Sequence, residues 1–83
     1  MDRPIKKGRL EKTQIGKPLL INESGEGHSV SGLTAAIWRM LDGTKSAQDL
    51  AWAISKESNN DPKELERAID GIISELRALG LVE

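Results

Sequence analysis

The chain changes character at Gly32, and that change limits the folds open to it. Residues 1–32 hold five glycines and two prolines and show no helical periodicity. From Leu33 onward, apolar residues recur at three- and four-residue spacing in separate runs, the period of helices that bury one face. Strand material followed by segregated helices points to an α+β domain, not to alternating βα units.

Residues 9–15 form an imperfectly alternating candidate strand, and residues 17–22 a better one, with Gly16 ahead and a polar turn behind. Glu23-Ser-Gly-Glu-Gly27 is turn chemistry. Residues 28–31 read as a short, mostly polar third strand, which suits a sheet edge whose outer main-chain groups face solvent.

In the helical part, Leu33, Ile37 and Leu41 recur four apart, Ala36 and Met40 fill the same stripe, and Asp42-Gly43 supplies a stop. Ser46 with Asp49 approximates a capping box. The helix behind it places Ala47, Leu50, Ala51 and Ile54 on one face. Asp61, Pro62 and Glu64 make a strong helix start. Leu65, Ile69, Ile72, Ile73, Leu76 and Leu79 then form a continuous stripe as far as Gly80. Leu81 can fold back there as the apolar contact of a Schellman motif. The expected architecture is a single winged-helix-like α+β domain over residues 1–83. It has a small N-terminal antiparallel sheet of about three strands, then three helices. Residues 1–8 are expected to be a flexible arm.

The chemistry available is narrow. With no cysteine, a disulfide, a thiolate metal site, an iron–sulfur cluster and a cysteine nucleophile are all excluded. His28 is the single histidine, so zinc has no histidine pair and a Ser–His–Asp arrangement would hang on that one residue. Gly25-Glu-Gly27 is too short for a phosphate loop. The carboxylates sit at helical spacing from Lys and Arg, the pattern of a solvated face. No catalytic group, metal or cofactor is expected, and the chain does not read as an enzyme. No run approaches the roughly 18 apolar residues of a membrane span. The first eight residues are charged and lack the apolar stretch of a secretory signal. A cytoplasmic location is the expectation.

Charge is unevenly spread. Residues 1–17 carry six basic and two acidic side chains; residues 18–83 carry six basic and eleven acidic. A basic arm on an acidic body raises a DNA-binding or regulatory winged helix as the rival reading. The third helix opposes it, because Lys63, Arg67 and Arg77 are outnumbered by Asp61, Glu64, Glu66, Asp70 and Glu75. Such a helix repels a phosphate backbone.

Three segments together resemble one family. They are Thr34-Ala-Ala-Ile-Trp-Arg-Met-Leu-Asp-Gly43, Lys45-Ser-Ala-Gln-Asp-Leu50 and Leu76-Arg-Ala-Leu-Gly-Leu-Val82. Joined, they resemble the PqqD family, also called RiPP recognition elements, over roughly residues 15–83. The chain departs from the pattern at Val30-Ser-Gly32, where many members carry a Leu-Asn step. The resemblance implies a non-catalytic peptide-binding accessory protein. The leader segment of a ribosomally made precursor peptide adds as a strand to the edge of strand three, beside helix three. It is then presented to a modifying enzyme, typically a radical-SAM protein, as in PQQ biosynthesis. On that basis His28, Ser29, Val30 and Ser31 would offer main-chain groups to the guest. Glu66, Ile73 and Arg77 would form the groove shoulder on helix three, in preference to the opposite shoulder at Ala68 and Gly71. For Ile73, plain core is the competing reading. Trp38 matches the family's aromatic position and reads as core. Trp52 falls about 140° from Ala47, off the buried face of its helix. It reads either as an exposed anchor for an enzyme or a second copy of the chain, or as a lid on the core. His28 reads as an ordinary strand histidine or as a pH-sensitive contact.

Overall fold

The structure, a computed structural model, describes residues 3–83. Strands β1 (Arg9–Lys12), β2 (Pro18–Ile21) and β3 (Gly27–Ser29) form an antiparallel sheet in the order β1-β2-β3. Leu10 lies opposite Leu20, and Leu20 opposite His28. The first strand is shorter than its sequence suggests because Thr13 already closes the turn. Its N–H donates to Lys17 O at 3.1 Å, and Gly16 at φ +81° donates to Thr13 O at 2.9 Å. Leu20 carries the sheet's contribution to the core and is fully buried.

Helices α1 (Gly32–Arg39), α2 (Ala47–Ser58) and α3 (Pro62–Ala78) follow. Each begins at a residue whose side chain accepts from a first-turn N–H: Ser31 from Thr34, Ser46 from Asp49, and Asp61 from Lys63. At α2 the box is reciprocal, with Asp49 accepting from Ser46 N at 3.0 Å. Aspartate thus fills the place where Glu or Gln is usual. The end of α3 is a full Schellman motif. Gly80 sits at φ +76°, its N–H donates to Arg77 O, and Leu81 N–H donates to Leu76 O at 2.9 Å.

The face of α1 differs from the expected stripe. Ile37 and Leu41 are buried as expected, but their companions are Ala35 and Trp38, while Ala36 is exposed and Leu33 is 59% exposed. Trp38 turns the helix. Its indole N–H donates to Leu81 O at 2.9 Å within the core, which satisfies the polar end of a large buried ring. α1 stops at Met40, ahead of Asp42-Gly43. Gly43 instead shapes the following turn at φ +85°, where a Cβ would stand 2.9 Å from Ile5. The core joins Leu20, Ile37, Trp38, Leu41, Leu50, Ala51, Ile69, Ile73, Leu76, Leu81 and Val82.

The flexible arm expected over residues 1–8 is corrected for the part described. Pro4 is fully buried. Ile5 bridges to Asp42, and Lys6 bridges to Val82. Lys6 N–H donates to Leu41 O at 2.7 Å, Lys7 N–H to Leu81 O at 2.8 Å, and Glu83 N–H to Ile5 O at 2.9 Å. Main-chain bonds to two separate parts of the chain hold residues 4–7 in place; Met1 and Asp2 lie outside the described residues.

Candidate functional site

β3 is one of the two edges of the sheet, and its pairing fixes which main-chain groups look outward. Asn22 N–H donates to Glu26 O at 3.0 Å, and Val30 N–H to Pro18 O at 3.2 Å. In an antiparallel ladder, alternate residues direct both polar groups at the same neighbour. His28, opposite Leu20, therefore spends its main-chain groups on β2. Gly27 and Ser29 point theirs away, and among the described residues no strand lies beyond them.

Beside this edge runs a cleft of about 210 Å³ lined by Ser29, Val30, Ser31, Thr34, Glu75, Leu76 and Leu79. Leu76 is buried, and Val30 and Leu79 are half-buried. Together they give the cleft an apolar floor. The rim is hydroxyl-bearing, with Glu75 as its one charged residue. The Ser31 hydroxyl is already engaged, accepting from Thr34 N at 3.1 Å as the N-cap of α1.

Asn22 sets the distance between β3 and α3. Its side-chain N–H donates to Leu79 O at 2.9 Å and to the Glu26 carboxylate at 3.2 Å, while its carbonyl accepts from Glu26 N–H at 2.9 Å. One buried amide thus ties the β2–β3 turn to the last turn of α3. It also satisfies a carbonyl that the helix end leaves without a partner. Sequence reading treated Asn22 only as a strand end.

The residues expected at the site fall into two groups. Ser29, Val30 and Ser31 line the cleft, and His28 is half-buried on the sheet face it shares with Leu20; the main-chain role expected of His28 and Val30 is corrected, because both direct polar groups at β2. The expected shoulder on α3 does not line it. Ile73 is 4% exposed and belongs to the core, Glu66 lies outside the lining, and Arg77 donates from Nη2 to Glu83 O at 3.2 Å. The cleft uses the other flank, through Glu75, Leu76 and Leu79. α3 packs most extensively against α2, and with Ile73 buried the groove falls to the flank that carries Glu75 and Leu79. Thr34 was also missed. The available signal was Glu75 standing one helical turn before Leu79, a charge beside the stripe on the flank not chosen. Trp52 is 54% exposed, so it does not close the core.

Two carboxylates titrate abnormally, both away from the cleft. The Thr44 hydroxyl and main-chain N–H, with Lys45 behind them, hold Asp42 down to about 2. The Ser46 main-chain N–H and hydroxyl lower Asp49. Both are turn and cap devices. Among the described residues no cluster of His, Cys, Asp or Glu could hold a metal ion, and no helix is long and apolar enough to cross a membrane.

Known proteins share this fold. Two solved structures share the architecture. One is the solution NMR structure of the PqqD truncation of Methylobacterium extorquens PqqCD, described as a functional and stand-alone RiPP recognition element. It is 18% identical over 96% of this chain and 87% of that one, with a TM-score of 0.78. The other is lasso peptide synthetase B1 complexed with the leader peptide, 21% identical over 99% of both chains, with a TM-score of 0.78. At these identities the likeness concerns the fold. No curated protein matches the chain. The family model for coenzyme PQQ synthesis protein D matches residues 18–82, most of the sequence, and the chain belongs to the PqqD family.

Proposed function

We propose that this domain is a non-catalytic peptide-binding accessory protein. It captures the leader segment of a ribosomally made precursor peptide by strand addition at β3 and presents it to a modifying enzyme. The observation that carries this reading is the outward-facing main chain of Gly27 and Ser29 beside an apolar-floored cleft. One protein of the same fold is recorded with a leader peptide bound. A guest residue opposite Ser29 would exchange both main-chain hydrogen bonds with it, and alternate guest side chains would enter the cleft over Leu76 and Leu79. Glu75 would face a guest residue able to donate to it.

The domain raises the local concentration of peptide at the enzyme and performs no reaction itself. A radical-SAM protein is the partner proposed for the chemistry. Trp52, on the outside of α2, is a contact proposed for that enzyme or for a second copy of the chain. The cytoplasm, where precursors are made, is the compartment this role requires. The rival DNA-binding reading gains nothing from the structure, since α3 presents Glu64 and Asp70 to solvent and Glu75 to the cleft.

The test is an NMR titration of ¹⁵N-labelled protein with the leader segment of a precursor encoded beside its gene. Amide shifts should concentrate at residues 27–31, with a second group at residues 75–79. Shifts confined to α2 would overturn the reading, as would duplex binding that collapses with salt.

A further inference from the structure

A second groove lies between the β1–β2 hairpin and α1. The β1–β2 hairpin and α1 enclose about 200 Å³ lined by Leu10, Lys12, Pro18, Ala35, Ala36 and Arg39, with Gly16 and Gly32 completing the wall. No carboxylate lines it. Two large apolar residues adjoin lining residues in the sequence: Ile15, after which Gly16 follows, is 78% exposed, and Leu33, which follows Gly32, is 59% exposed. Neither joins the core. Ile15 rides on the tip of a hairpin turn held by main-chain bonds between Thr13 and its neighbours Gly16 and Lys17. The core does not need an isoleucine in that place.

The rim supplies the sign of the partner. The lining cations Lys12 and Arg39 are both exposed. Neither forms an ion pair among the described residues; Lys7–Glu23, Arg9–Glu11 and Lys45–Asp42 are ion pairs elsewhere among them. The Lys6 ammonium adds to the same side, donating to Arg39 O at 3.4 Å at the end of α1. Cations without counter-charges around an apolar slot fit a surface of opposite charge, which speeds encounter and fixes orientation.

We propose that this groove docks an acidic amphipathic helix on a partner protein. Aliphatic side chains of the helix would seat between the hairpin and α1, and its carboxylates would meet Lys12 and Arg39. The site involves neither β3 nor α3, so it stands whether or not the β3 edge takes a leader peptide.

The probe is an amidated helical peptide with leucine along one face and glutamate elsewhere, titrated into ¹⁵N-labelled protein. A control peptide carries lysine in place of glutamate. Saturable shifts should appear at Leu10, Gly16, Gly32 and Ala36 with the acidic peptide alone, while Ser29 and Leu79 stay still. The double variant Lys12→Glu, Arg39→Glu should weaken acidic-peptide binding by about tenfold, because two exposed attractions become repulsions. It should also gain affinity for the lysine peptide, an exchange that a misfolded variant cannot mimic. Equal response to both peptides, shifts confined to α2 or α3, or no saturable shift would overturn the proposal. Concentration-dependent shifts at the same amides without peptide, with a dimer in sedimentation, would overturn it in favour of a second copy of this chain.

Discussion

Replacing Asn22 by alanine tests the link between β3 and α3 directly. The side chain makes three hydrogen bonds, two of them to main-chain groups, Leu79 O and Glu26 N–H. Each bond to the main chain contributes about 1 kcal/mol net, and a buried group left without a partner adds its desolvation cost. The bond to the exposed Glu26 carboxylate contributes little. The expected loss is about 2 kcal/mol, against a total of roughly 4–12 kcal/mol for a domain of this length. The melting midpoint should fall by about 8–16 °C. Urea denaturation at unchanged slope gives the free energy, and exchange of the Glu26 amide should accelerate with it. The variant Asn22→Asp sharpens the test. It keeps an acceptor for Glu26 N–H but sets a carboxylate against the negative end of α3. That raises the folded-state pKa of the new carboxyl, so stability should recover as pH falls and drop as pH rises through that value. A loss below about 0.5 kcal/mol for Asn22→Ala, with normal Glu26 exchange, would refute the claim that this amide sets the cleft.

Three further outcomes are expected. Ser29→Pro removes only an outward N–H from an edge strand, a position where proline is tolerated; it should leave the melting curve nearly unchanged and weaken leader binding by about tenfold in calorimetry. Gly71→Ala should stabilise the protein by about 1 kcal/mol in urea, because a Cβ there meets nothing within 4 Å. A simultaneous loss of leader affinity would show the guest crossing α3 at that point. The folded pKa values of Asp42 and Asp49 are depressed, so what they add to stability is complete above the ordinary carboxylate value of 3.8 and fades as pH falls below it, for Asp42 toward about 2. Thermal midpoints measured across that window should decline, and Asp42→Asn should flatten the decline.

Features fixed within a few residues were legible in the sequence. The Ser46–Asp49 box, the Asp61-Pro62 start and the Gly80 stop each close their hydrogen bonds inside one or two helical turns. A polar edge strand near residues 28–31 was legible for a related reason, since a short strand without apolar alternation has nowhere to be buried, but it runs over Gly27–Ser29, and Ser31 already caps α1. Features fixed by distant partners were not legible. The face of α1 depends on a carbonyl 43 residues from Trp38, and the role of Asn22 on one 57 residues away. The choice between the Ile73 and Glu75 flanks depends on where α2 settles, and helical periodicity gives both flanks equal standing. The pinning of residues 4–7 is main-chain pairing, which leaves no trace in side-chain pattern.

That pinning makes Ile5 and Glu83 neighbours, joined by a hydrogen bond of 2.9 Å. The order in which the elements are translated is therefore separable from the architecture they build. A circular permutant that leads from Glu83 through a short linker into Arg3, keeping the buried Pro4, and opens between Asn59 and Asn60, both exposed, should recover the same shape. Its new ends would emerge between α2 and α3, on the helical layer, where a tag or a tethered enzyme could be attached without touching either terminus of the present chain.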